Sequence, residues 1–173
     1  MTNSQTWRRG DEQKLYQLGC ITNILARHTH FSLNTFSWLR SWTENAIAHK
    51  QLEIFYYQGA PVGYIAWAYL TEDVIGRILY SDYIPHWSEW YEGDFLWIMD
   101  YCMLQTYQPR EVIDIFCKVF SEERYVFWSM ETSDASLVFR LDVAKKRVSS
   151  MPKNRFMETI GKRSIQHKQM ETG

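Results

Sequence analysis

The chain has 173 residues, of which 46% are aliphatic, aromatic or sulfur-bearing and 16% aromatic, enough to fill one core without disulfides or a structural metal. The three cysteines, Cys20, Cys102 and Cys117, lack metal-ligand spacing and lie in apolar surroundings, so they read as reduced, buried thiols of a cytoplasmic protein. No stretch approaches the ~20 apolar residues that cross a membrane, and the N-terminus has no apolar secretion segment. The net charge of −1 conceals an asymmetry: residues 1–144 hold 11 Lys and Arg against 18 Asp and Glu, and the last 29 residues hold 8 against 2. We therefore expect one domain over 1–144 and a basic tail over 145–173, directed at something acidic. The acidic body and the lack of a recognition motif exclude nucleic acid as the expected partner.

In chain order, Leu33, Phe36, Leu39, Trp42, Ala46 and Ile47 recur at helical spacing, with Ser32 available as an N-cap. LEIFYY at 52–57 and VGYIAWAYL at 62–70 flank Gln58-Gly59-Ala60-Pro61 and predict an antiparallel hairpin. Thr71, followed by Glu72 and Asp73, predicts a short helix to Leu79. FLWIMDYCML at 95–104 predicts an interior strand, and Pro109 opens a helix with Val112, Ile113, Phe116, Val119 and Phe120 on one side. Strands over 124–131 and 136–143 complete an α+β domain with a central mixed, mostly antiparallel sheet flanked by helices.

Two places carry chemistry. Arg27-His28-Thr29-His30 offers imidazoles that could take a proton from an ammonium and return it to a leaving group, although histidines near a helix also serve as caps. Asp100 interrupts the apolar row Leu96, Ile98, Cys102 and Leu104 on one face of its strand. A carboxylate placed there needs a cationic or hydrogen-bonding partner, or a cleft. A histidine and a buried aspartate form a minimal oriented base.

These segments resemble the toxin-activating lysine acyltransferases that modify RTX-type pore-forming protoxins. Leu25-Ala26-Arg27-His28-Thr29-His30-Phe31 occupies the place of the family's S-P-x-H-R-x-W-like segment. Pro61-Val62-Gly63-Tyr64-Ile65-Ala66-Trp67-Ala68 resembles its P-V-A-Y-x-S-W-A pattern. Its W-x-x-G-D-x-x-W-x-x-D-W pattern is met by Trp90, Gly93, Asp94, Trp97 and Asp100, with Tyr101 for the final Trp. The resemblance implies a fold related to the GNAT acetyltransferases, usually dimeric. It carries the catalytic His onto His28 and the catalytic Asp onto Asp100.

The donor it implies is acyl carrier protein loaded through a phosphopantetheine thioester, with no bound cofactor and no metal, and the acceptor is an internal lysine of the toxin. Such a lysine, with an ordinary pKa near 10.4, must be deprotonated before it attacks the thioester. His30, Trp67 and Trp97 are candidate substrate contacts, and Lys145, Lys146 and Arg147 are candidates for meeting the acidic surface of acyl carrier protein. The chain departs from the family in placing Leu25 at its Ser and Ala26 at its Pro, and Met103-Leu104-Gln105-Thr106-Tyr107 at its A-P-x-G. The match also needs a few extra residues between His28 and Gln51, which leaves His30 as the alternative base. His49, His86 and His167 are assigned no chemistry. An acetyl-CoA-dependent GNAT enzyme is disfavoured because no Gly-rich, basic pyrophosphate loop follows the 95–104 strand. A non-catalytic module on the same fold is the other alternative.

Overall fold

The computed structural model describes residues 9–28, 36–81, 83–104, 108–131 and 136–161. The chain divides into two compact units, Met1–Ala66 with Asp100–Thr106 and Trp67–Met99 with Tyr107–Gly173. A six-stranded sheet has the order β1-β2-β3-β4-β5-β6, with β1 at Leu52–Tyr57, β2 at Ala60–Leu70, β3 at Phe95–Met103, β4 at Tyr125–Glu131, β5 at Ser136–Asp142 and β6 at Arg147–Pro152. The sheet is mixed and mostly antiparallel, as expected. β3 and β4 pair in parallel at Trp97 and Phe127, and α4 (Pro109–Val119) lies between them in sequence, as a parallel connection requires.

In the first unit, Gln58 and Gly59 take φ of 50° and 79° in the β1–β2 turn. Both values lie in the left-handed region that two-residue hairpin turns demand, so the chain reverses immediately and β2 starts at Ala60. α2 (Phe36–Ala48) buries Leu39, Trp42, Thr43 and Ala46, one stripe at helical spacing. Thr43 closes its own hydroxyl onto Leu39 O at 2.6 Å, so the buried polar atom is satisfied. The proposed start of this helix at Leu33 and its cap Ser32 lie outside the described residues. α1 (Arg9–Ala26) was not foreseen from the sequence; only its C-terminal half buries apolar side chains, Cys20, Ile21, Ile24 and Leu25.

In the second unit, Thr71 caps α3 (Glu72–Tyr80), its side chain accepting from Val74 N at 3.3 Å, and the helix buries Val74, Ile75 and Leu79. A 3₁₀ turn, Trp87–Trp90, occupies the stretch read as a loop. Glu89 braces it, pairing with Arg77 at 2.5 Å and accepting from Tyr83 Oη at 2.6 Å and His86 N at 2.7 Å. Burial opposes ionisation of Glu89, but these donors outweigh it and hold its carboxyl below the usual range. The first residues beyond Ala144 continue the fold: β6 pairs with β5 from Asp142–Arg147 to Leu137–Pro152, and residues 153–161 form α5, which buries Phe156 and Ile160. Residues 162–173 of the expected tail lie outside the described residues.

Candidate active site

The candidate site grows from the segments of β2 and β3 that lie in the first unit. β2 supplies Tyr64, which is completely buried, and β3 supplies Asp100, which is half-buried. The Tyr64 hydroxyl donates to Asp100 Oδ2 at 2.7 Å. Its ring stacks on Trp42 of α2, with centroids 5.7 Å apart and planes at 27°. The strands come close here because residue 63 is glycine: a Cβ on it would meet Met103 Sδ and lie 2.8 Å from Cys102 O. Leu104 N also donates to Val62 O at 2.8 Å. Gly63 thus lets the backbone of β2 settle against that of β3, and the Tyr64 side chain reaches the carboxyl from the next position.

Burial moves the Asp100 carboxyl up to about 6, against the opposing pull of the Tyr64 hydroxyl and the Tyr101 backbone N–H. The same burial, together with the Asp100 charge, raises Tyr64 far above the ordinary phenol value, so it stays protonated and remains a donor. Cys102 is pushed up to about 11, first by burial and then by Asp100, and burial also raises Cys117. Neither thiol is disposed to act as a nucleophile. All three cysteines are free and buried, as the sequence implied.

His28 lies two residues beyond the end of α1 and is partly exposed, its backbone N–H donating to Leu25 O at 3.0 Å. It belongs to the same compact unit as Asp100 and Tyr64. His30 lies outside the described residues. The other sequence candidates fall in the second unit. Trp67 packs edge-on against Phe120 at 5.2 Å, and Trp97, 2% exposed, tilts against Phe156 at 6.1 Å, so both rings have core neighbours. Lys145, Lys146 and Arg147 come together at the β5–β6 turn, where Lys146 pairs with Asp114 at 2.8 Å and Lys145 with Asp142 at 3.6 Å. Sequence reasoning singled out Asp100 but assigned Tyr64 no role; the signal available was its place directly after Gly63 in the β2 motif. Among the described residues, no group of His, Cys, Asp and Glu could hold a metal ion, and no helix is long and apolar enough to cross a membrane.

The α+β architecture with its open, mostly antiparallel sheet belongs with the GNAT-like acyltransferases. More narrowly, the chain belongs to the RTX toxin acyltransferase (HlyC) family, whose sequence profile matches residues 11–151, from α1 into β6. Comparison with curated proteins returned no match. Enzymes of this family activate RTX protoxins by acylating lysine side chains, with acyl-acyl carrier protein as the donor. His28, Gly93, Asp94 and Asp100 all lie within the matched span.

Proposed function

We propose that His28 is the general base of this lysine acyltransferase and that Asp100 orients and charges its imidazole. The observation that carries this reading is the Asp100 carboxyl itself: half-buried, fixed by Tyr64, with its ionisation moved to about 6, in the same compact unit as His28. His28 takes a proton from the ε-ammonium of the acceptor lysine. The neutral amine attacks the thioester carbonyl, a tetrahedral oxyanion with a protonated nitrogen forms, the carbon–sulfur bond breaks as it collapses, and the proton lost by the nitrogen ends on the departing thiolate of the carrier, while the first proton stays with His28 until solvent takes it. The products are an amide on the toxin and the free carrier thiol. The raised Cys102 and Cys117 thiols support direct attack without an acyl-enzyme.

The test is intact-mass analysis of an RTX-type protoxin co-expressed in the cytoplasm with the wild-type chain, with His28→Ala and with Asp100→Asn. Fatty-acyl mass on toxin lysines with the wild type, lost with His28→Ala, is the expected result. Modification that survives His28→Ala would move the base to His30.

Transfer takes place in the cytoplasm, with acyl carrier protein and a second copy of the chain as partners. Acyl carrier protein, which is acidic, meets the exposed Lys145, Lys146 and Arg147, which lie together on the β5–β6 turn. Because β6 and α5 belong to the folded unit, charge reversal is a cleaner probe than truncation. Lys145→Glu with Arg147→Glu is expected to weaken donor binding about tenfold and to flatten its salt dependence, with the melting temperature unchanged. Equal affinity and equal salt dependence would remove this contact. In the homodimer, the exposed Leu15, Tyr16, Tyr56 and Tyr57 of the first unit are the side chains that would meet the second copy.

A further inference from the structure

We infer that Tyr64 is a positioning residue for acyl transfer: its hydroxyl holds Asp100 in one rotamer and keeps the carboxyl ionised at the pH where the base works. The inference rests on the role proposed above for Asp100. The geometry is one-directional. An ionised carboxylate can only accept, so the 2.7 Å contact has the phenol as donor and Oδ2 as acceptor. The donor cannot swing away, because Tyr64 is completely buried and its ring lies stacked on Trp42, itself 5% exposed. Gly63 sets the strand spacing that brings the hydroxyl within reach.

The need for such a donor follows from where Asp100 sits. Burial drives the carboxyl toward the neutral form, and the groups that oppose it are few. They are the Tyr64 hydroxyl from β2 and, on β3 itself, the Tyr101 backbone N–H; the Tyr101 and Cys102 side chains feel the Asp100 charge in return. Tyr101 and Cys102 are both raised by burial and by Asp100, so they are uncharged at neutral pH and neither offers a cation. Among these groups Tyr64 is the side chain that favours the anion, so its hydroxyl works against the neutral form that burial promotes.

The experiment is the pH profile of kcat/KM for transfer from acyl-acyl carrier protein to a lysine-bearing protoxin segment, measured for the full-length wild type, Tyr64→Phe and Asp100→Asn. Phenylalanine keeps the ring and its stack on Trp42 and removes only the donor. The acid limb of Tyr64→Phe is expected to move up by about one pH unit, with the rate down about threefold near pH 6.5, approaching tenfold by about pH 5, and recovering toward wild type by pH 9. A uniform loss at every pH, or an unmoved limb, would overturn the inference, since a packing role gives no pH-selective defect. Should Asp100→Asn retain full activity, the proposed role of Asp100 falls and this inference with it. An inactive Asp100→Asn beside an unmoved Tyr64→Phe limb sinks the inference alone. If Tyr64→Phe does not fold, site-specific 3-fluorotyrosine at position 64 decides: a more acidic phenol donates more strongly, so the limb must shift down, and an unchanged limb rejects the role.

Discussion

Replacing Asp100 by asparagine is expected to lower acyl transfer by a hundredfold or more and, in the same protein, to raise its melting temperature at pH 7.5. The first effect follows from the role proposed for Asp100, whose charge would favour an imidazolium on the base. The second follows from linkage. The carboxyl has its ordinary value of 3.8 raised to about 6 in the fold, so between these limits the native state holds more protons than the unfolded chain. Stability from this group is therefore greatest below pH 3.8, declines as pH rises through the window, and is at its minimum above about 6. At pH 7.5 the ionised, half-buried carboxylate costs up to about 3 kcal/mol, a gain of roughly 5–10 °C for the uncharged isostere. Asparagine keeps an acceptor for Tyr64 and relieves the charge. Differential scanning calorimetry at pH 7.5 and at pH 4 checks this: the asparagine variant should lead at the first and lose its lead at the second. An asparagine variant less stable than wild type at pH 7.5 would show that the Tyr64 and Tyr101 donors outweigh burial.

The second large effect is expected at Gly93. Its N–H donates to Tyr69 O at 3.0 Å, and a Cβ on it would run into the carbonyl carbon and oxygen of Leu70 and the nitrogen of Thr71. Those are backbone atoms of the junction where β2 hands over to the capped start of α3, so they cannot yield as a flexible side chain would. Gly93→Ala should therefore cost about 3 kcal/mol or more, read as a fall in the urea midpoint, and loss of the fold outright is within reach. Gly19→Ala is the natural control. Nothing lies within 4 Å of its added methyl, and it sits inside α1, so it should stabilise by about 1 kcal/mol. A Gly93→Ala protein with the wild-type midpoint would mean that the junction can open without penalty.

The elements that could be read from the sequence are those with a strong local signal. Gln58-Gly59 marks the hairpin, Thr71 with Glu72 and Asp73 marks α3, and Pro109 marks α4. α1 escaped because its first half is polar and exposed, and two glycines weaken its helical pattern. β6 escaped because RVSSMP is polar and basic; its strand character comes from pairing with β5, not from its own residues. The site divides in the same way. A carboxylate in an apolar row is conspicuous in one strand, so Asp100 was legible. Its partner lies 36 positions away on another strand, and the bond depends on the close approach at Gly63, which no local pattern encodes.

The pairing of β6 with β5 has a consequence for the chain's behaviour in a crowded cell. β5 presents Leu137, Val138, Phe139 and Leu141 in close succession, and β6 covers its outer backbone edge along the full register. Proteolytic nicking near Ala144 would strip that cover, leaving an apolar strand with unpaired N–H and C=O groups, no proline, and only Arg140 and Asp142 near one end as charges that discourage edge-to-edge stacking. The basic segment Lys145–Arg147 thus stands at the hinge between a protected enzyme and a species prone to self-association, and a protease cutting after its lysines would be the trigger for aggregation.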